Sequence, residues 1–101
     1  MDYKVIWEDD SISDLARCVR YVAENNPATA EKLGKAILKK VAALSRFPRL
    51  GKVFAKLGRE DVREIPRPPY RIIYRVEDSQ RLVRVLAVLH GARQEPSGLP
   101  E

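Results

Sequence analysis

The stretch PPYRIIYRVEDSQRLVRVLAVLHGAR, residues 68–93, contains the strongest strand pattern of the chain. In YRIIYRV, arginines alternate with aromatic and aliphatic residues, so Arg71 and Arg75 fall on the face opposite the tyrosines. EDSQ is a turn, and RLVRVLAVLHG is apolar on both faces, as in a central strand. Its alternation predicts two sets on opposite faces: Val83, Val85, Ala87 and Leu89, against Arg84, Leu86, Val88 and His90.

The elements before this stretch follow from the same periodicities. DYKVIW alternates as a short strand, and EDDSISDLARCVRYVAEN predicts an amphipathic helix over 10–25 with acidic residues at its start. Asn26 as N-cap and Pro27 at the first helical position begin a second helix that runs to residue 47. RFPRLGK breaks this helix, and two short strand candidates follow it, KVFAKL and DVREIP.

These elements predict a two-layer α+β domain. An N-terminal strand precedes an antiparallel helical hairpin, which packs on a twisted antiparallel sheet of three to four further strands. With 101 residues, the chain has the length of one domain, which we place at residues 1–94. The remaining residues, 95–101, are expected to form a mobile tail because they contain two prolines and a glycine.

The net charge of +5 is unevenly distributed. Residues 1–45 carry seven Lys/Arg and seven Asp/Glu, whereas residues 46–93 carry twelve and five. A basic C-terminal half on a small domain indicates a partner that is nucleic acid or an acidic protein segment. No apolar run is long enough to cross a membrane and the N-terminus is acidic, so we expect a cytoplasmic protein.

The helix-free side of the sheet is the candidate site, as an open basic face. Its predicted residues are Lys52, Lys56, Arg63, Arg71, Arg75, Arg84 and Arg93, with His90 nearby. Arginine binds phosphate or carboxylate through paired hydrogen bonds, and His90 is a candidate proton carrier for RNA cleavage. A metal site needs several clustered ligands, and the chain has only one histidine and one cysteine. No phosphate-binding glycine motif occurs either, so no metal or cofactor is expected.

The chain resembles the RelE/ParE superfamily of bacterial toxins from type II toxin–antitoxin systems. NNPATAEKLGKAILKKVAALSRFPRLGK, VREI, YRIIYRV and VLAVLHGAR carry the resemblance in this order, and it covers residues 3–94. It implies the same fold and a cognate antitoxin whose acidic or amphipathic C-terminal segment wraps the toxin in a hetero-oligomer. Membranes have no part in this activity.

Two branches of the superfamily differ in mechanism. RelE-like members cleave messenger RNA on the ribosome; Arg71 and Arg93 match catalytic positions of that branch, and Lys52 and Lys56 fall where it keeps lysines. ParE-like members inhibit DNA gyrase and are not nucleases. The long second helix with FPRLG after it, and the lack of Tyr or His after Arg93, favour a ParE-like gyrase inhibitor. The alternatives are a ribosome-dependent endoribonuclease and a basic binding domain without toxicity.

Overall fold

A computed structural model describes residues 2–91, which form five strands and two helices. The elements are β1 (Lys4–Trp7), α1 (Asp9–Ala23), α2 (Pro27–Ala43), β2 (Lys52–Val53), β3 (Val62–Arg67), β4 (Tyr70–Glu77) and β5 (Leu82–His90). Every predicted element is present, although the strand predicted from KVFAKL has only two residues. Arg93 and the predicted mobile tail at 95–101 lie outside the described residues.

The two helices begin where their sequences indicate. The side chain of Asn26 accepts a hydrogen bond from the Thr29 N–H at 3.1 Å, which caps α2, and Pro27 follows as its first residue. Glu8 is the N-cap of α1 without using its side chain, and the Ser11 hydroxyl donates to the Glu8 carbonyl at 2.6 Å. The predicted hairpin is therefore fixed at both helix starts by local hydrogen bonds.

The five strands form one sheet in the order β1-β5-β4-β3-β2. The four strands from β2 to β5 pair antiparallel with their neighbours, as predicted, whereas β1 pairs with β5 in parallel and makes the sheet mixed. A parallel pair needs a long connection, which the two helices and the intervening strands provide. β5 consequently has neighbours on both sides, which explains why it is apolar on both faces.

The main core lies between the helices and one face of the sheet. It contains twelve buried residues, among them Ile37 and Val41 of α2 and Tyr74 of β4. Tyr70 and Tyr74 pack here as predicted. Tyr74 is fully buried, and its hydroxyl accepts a hydrogen bond from the Gly51 N–H at 2.9 Å. This bond ties the loop after α2 to the centre of the sheet.

A β-bulge interrupts the predicted alternation of β5. Ile73 lies opposite Ala87 but Tyr74 lies opposite Val85, so Leu86 is an extra residue. Leu86 and Ala87 both belong to the core on the far side of the sheet, and Val88 belongs to the helix-side core. The faces predicted for Ala87, Leu89, Val88 and His90 were therefore wrong, because one inserted residue reverses every later side chain.

Candidate functional site

The sheet face opposite α1 and α2, here called the helix-free face, carries three of the predicted arginines. Arg71 and Arg75 alternate along β4 with the helix-facing tyrosines, and Arg75 lies directly opposite Arg84 of β5. All three side chains are about three-quarters buried, with exposed fractions between 24% and 28%. The prediction that these arginines share one surface is confirmed.

Each of these guanidinium groups is engaged by a carboxylate. Arg75 and Arg84 both donate to one Glu77 oxygen, at 2.8 Å for the Arg75 terminal nitrogen and 2.8 Å for Arg84 Nε. The hydrogen bonds from Arg84, followed by those from Arg75, hold the pKa of Glu77 below its ordinary value, and the same contact raises the pKa of Arg84. Arg71 lies 3.4 Å from a Glu64 oxygen. The positive charge of this face is thus largely balanced by its own acids.

A second, smaller core covers part of the helix-free face. Phe54 folds over it from the segment after β2 and packs with Ile73 and Leu86, with Leu57 at the margin. The Phe54 ring lies 5.8 Å from the Arg71 guanidinium carbon, within the range of a cation–π contact. The expectation of an open basic face was therefore wrong, since the buried Phe54 ring and the carboxylates of Glu64 and Glu77 occupy part of it.

His90 lies on the other side of the sheet from Arg71. Its ring meets the ring of Tyr70 edge-on, with centroids 5.5 Å apart, and Tyr70 belongs to the helix-side core. The bulge at Leu86 causes this displacement. The described residues consequently do not place the one histidine next to the arginines that a nuclease would use.

The remaining predicted site residues are dispersed. Lys52 sits on the edge strand in register with Glu64, and Lys56 is exposed in the turn after Phe54. Arg63 lies opposite Tyr74, on the helix side, and donates a hydrogen bond to the Gly51 carbonyl at 2.9 Å. Arg63 is therefore not on the predicted face. It stabilises the loop before β2 instead. The structure does not describe Arg93.

A groove runs between α1 and the end of the sheet and is called here the α1 groove. It has a volume of about 470 Å³ and is open to solvent. Its lining residues are Arg17, Cys18, Tyr21, Tyr70, Val88 and His90. Tyr21 is two-thirds exposed and presents its aromatic ring at this groove. A concave, mostly apolar groove of this kind suits a peptide segment.

The described residues offer little for acid–base or metal chemistry. No group of three or more His, Cys, Asp or Glu residues in this part of the chain is placed to hold a metal ion. The arginines face carboxylates rather than a cavity, and His90 borders the α1 groove on the other side.

Two features escaped the sequence analysis. Asp14 of α1 accepts a hydrogen bond from the Val88 N–H at 3.1 Å, beside the bulge, and only knowledge of the bulge would have assigned it that role. Phe54 was assigned to a strand, but it covers the helix-free face. The available sequence signal was Gly58, which takes a positive φ in the turn at 55–61 where the chain folds back.

A family model covers nearly all of this fold. It is described as "ParE toxin of type II toxin-antitoxin system, parDE", and it matches residues 5–95. The chain is a member of the ParE toxin family. The superfamily resemblance seen in the sequence is thereby confirmed, and this ParE-family chain is a toxin of a toxin–antitoxin system.

Solved structures with the same fold come from both branches. A chain of the RelBE2 toxin–antitoxin complex of Mycobacterium tuberculosis is 28% identical, with 89% of this chain and 99% of that chain covered at a TM-score of 0.61. A chain of the chromosomal ParDE system of P. aeruginosa is 21% identical, with 87% and 95% covered and a TM-score of 0.69. The isolated RelE toxin of E. coli is 21% identical, with 92% and 88% covered and a TM-score of 0.62. No curated protein matches the chain significantly.

The helices of this ParE-family toxin are not membrane spans. Among residues 2–91, neither α1 nor α2 combines the length and the apolar character that crossing a bilayer requires.

Proposed function

We propose that this ParE-family toxin arrests growth by inhibiting DNA gyrase and that a cognate antitoxin neutralises it. The observation that carries the proposal is that the arginines of the helix-free face already contact carboxylates and an aromatic ring of the same chain. Arg75 and Arg84 share Glu77, and Arg71 contacts both Glu64 and the ring of Phe54. A cluster bound in this way stabilises the sheet, and a gyrase inhibitor does not need it as a catalytic surface.

The alternative activity, RNA cleavage on the ribosome, requires two catalytic groups that lie close together. A cation must reach the transition-state phosphate, and a proton carrier must stand beside it. Arg71 would have to leave Glu64, and His90 lies across the sheet beside Tyr70. Both requirements count against a RelE-like mechanism for this chain, even though its fold is shared with RelE proteins.

The α1 groove is the proposed binding site of the antitoxin segment. It combines exposed Tyr21 with apolar walls and with the cation Arg17, so it suits an amphipathic segment that also carries acidic residues. A segment that becomes ordered on binding can cover a large surface with few residues. The complex would then be a hetero-oligomer, as in the RelBE2 and RelBE toxin–antitoxin complexes.

A DNA cleavage assay with supercoiled plasmid, gyrase and ATP tests the proposed target directly. We expect the purified toxin to cause linear DNA to accumulate after protein denaturation, and the same toxin mixed first with its antitoxin to cause none. A parallel reaction with ribosomes and messenger RNA should show no codon-dependent cuts. Cuts on the ribosome without linear plasmid would instead establish the endoribonuclease, and unaffected growth on induction would leave only the non-toxic binding domain.

A further inference from the structure

A long internal segment of the chain contains no acidic residue. Residues 32–59 include nine Lys/Arg and no Asp or Glu, so this segment carries +9 while the whole chain carries +5. Lys35 pairs with Glu31, Arg49 with Asp78 and Arg59 with Asp61, and these three acids lie outside the segment. The outer side of α2 and the loop after it therefore form the most cationic part of the molecule.

The same segment displays most of the exposed apolar side chains. Six large hydrophobic residues are exposed among the described residues, and four of them lie between 38 and 53: Leu38, Phe47, Leu50 and Val53. Clusters of exposed apolar side chains with a polar rim mark interaction sites on soluble proteins. Phe47 and Leu50 line one pocket together with Pro48 and Arg49, and we name the surface formed by Arg46, Phe47, Pro48, Arg49 and Leu50 the turn surface.

A tight turn places two of these side chains next to each other. The Leu50 N–H donates to the Phe47 carbonyl at 3.0 Å, and Pro48 occupies the second position of the turn, where its fixed φ is favoured. Phe47 and Leu50 are each 57% exposed. The Arg46 guanidinium carbon lies 5.7 Å from the Phe47 ring centroid and adds charge beside the apolar pair.

Hydrogen bonds to the sheet hold this turn rigidly. Arg49 donates to both oxygens of Asp78 at 3.1 and 2.6 Å, and Tyr3 donates to the same carboxylate at 2.6 Å. The Ser45 hydroxyl donates to the Tyr3 carbonyl at 2.7 Å. Anchor side chains on a pre-ordered loop lose little entropy on binding, which is how rigid contact residues gain affinity.

We propose that the turn surface binds the toxin's target, a folded protein with an apolar pocket bordered by acidic side chains. This inference rests on the proposed function, in which a toxin has both an inhibitor and a target. The α1 groove suits a segment that folds on binding, whereas a rigid pair of exposed anchors suits a pocket that already exists. Nucleic acid is the weaker candidate, because the anchors Phe47 and Leu50 are apolar.

The double variant Phe47→Ser with Leu50→Ser tests the proposal in the full chain. Both side chains are exposed, so the variant should keep the wild-type melting temperature and should still co-purify with the antitoxin. Growth arrest on induction should need at least about tenfold more toxin, because two contact anchors are lost. Ile12→Ser is the matched control, since Ile12 is 52% exposed on α1, and it should leave growth arrest unchanged.

Three results would overturn the proposal. The first is growth arrest by the double variant at the wild-type dose. The second is loss of antitoxin binding with toxicity retained, which would assign the turn surface to the inhibitor. A nucleic-acid surface would show itself if Lys39→Gln with Arg46→Gln abolished toxicity while the serine variant did not. Because growth arrest does not depend on the target's identity, these outcomes remain separate from a failure of wild-type toxin to act on gyrase.

Discussion

The carboxylate of Asp78 connects three segments that are distant in the sequence. It accepts hydrogen bonds from Tyr3 of the N-terminal segment and from Arg49 of the loop after α2. The bonds from Arg49, and after them the bond from Tyr3, lower the pKa of Asp78 from 3.8 to about 2. A carboxyl group whose pKa is lower in the folded chain than in the unfolded chain stabilises the fold. The stabilisation is complete at pH values above the unfolded pKa, and it is lost as the pH falls through the folded pKa.

Asp78→Asn should therefore lower the melting temperature at neutral pH, and the difference from wild type should shrink between pH 3.8 and about pH 2. Thermal unfolding followed by circular dichroism across this range measures both effects. Asp9→Asn serves as the control, because Asp9 is an exposed acid in the first turn of α1. A deficit for Asp78→Asn that stayed constant down to the lowest pH would show that the carboxylate charge is irrelevant.

Two glycines should respond in opposite directions to alanine. A Cβ at Gly51 would clash with the Glu64 carbonyl oxygen and lie 2.8 Å from the Tyr74 hydroxyl, so Gly51→Ala should destabilise the fold by about 1–3 kcal/mol. A Cβ at Gly34 would meet Val19 at 3.5 Å, an ordinary contact, inside α2. Gly34→Ala should stabilise by about 0.5–1 kcal/mol. Urea unfolding of both variants decides the signs, and equal signs would contradict the packing described.

At the scale of elements, α1 is joined to β5 at the bulge. The Asp14 carboxylate accepts a hydrogen bond from the Val88 N–H, which follows the inserted residue. Asp14→Ala should leave that donor unsatisfied and cost about 1–3 kcal/mol in urea unfolding. Asp14→Asn should recover part of the loss through its amide oxygen.

The ion pair of Asp14 with Arg17 provides the control for this prediction. Arg17 is 61% exposed, and exposed pairs contribute only about 0–1 kcal/mol, so Arg17→Ala should change the stability much less than Asp14→Ala. If the two variants lost equal stability, the surface ion pair rather than the bond to the bulge would explain the effect.

The bulge also marks where sequence reasoning about the elements stopped. Arg71, Arg75 and Glu77 of β4 fall on one face, with Ile73 the one apolar member of that set, so the two faces of β4 could be assigned from the alternation alone. From Val85 to Leu89, β5 is continuously apolar, and an inserted residue in such a run leaves no trace in polarity. The parallel pairing of β1 was equally invisible, since its partner is almost eighty residues away.

The contacts of the arginines on the helix-free face could not be predicted for a related reason. Alternation places Arg71 and Arg75 on one face, but it does not reveal what else occupies that face. Glu64 arrives from β3 and Phe54 from the segment after β2, so their contacts with Arg71 depend on tertiary packing. An arginine that appears available for an anionic ligand in the sequence can already contact a carboxylate and an aromatic ring within its own fold, as Arg71 does.

At the scale of the whole molecule, three surfaces have different characters. The helix-free face is internally neutralised and packed by a second core, the α1 groove is concave and aromatic, and the turn surface is cationic with apolar anchors. This division implies that the arginines on the helix-free face act through stability. Toxicity should then tolerate their removal as long as the sheet stays intact.

Arg71→Met combined with Glu64→Gln tests this division, because it removes both charges of the pair while keeping an apolar stem on Phe54. Replacing both partners of a partly buried ion pair is often close to neutral, whereas Arg71→Met alone leaves Glu64, 12% exposed, without this cation. The double variant should therefore unfold at a higher urea concentration than the single one and should arrest growth as wild type does. If the toxin is a nuclease that depends on Arg71, the double variant should not arrest growth, because no change at Glu64 can restore a missing guanidinium group. A stable double variant that no longer arrests growth would thus return Arg71 to a catalytic role.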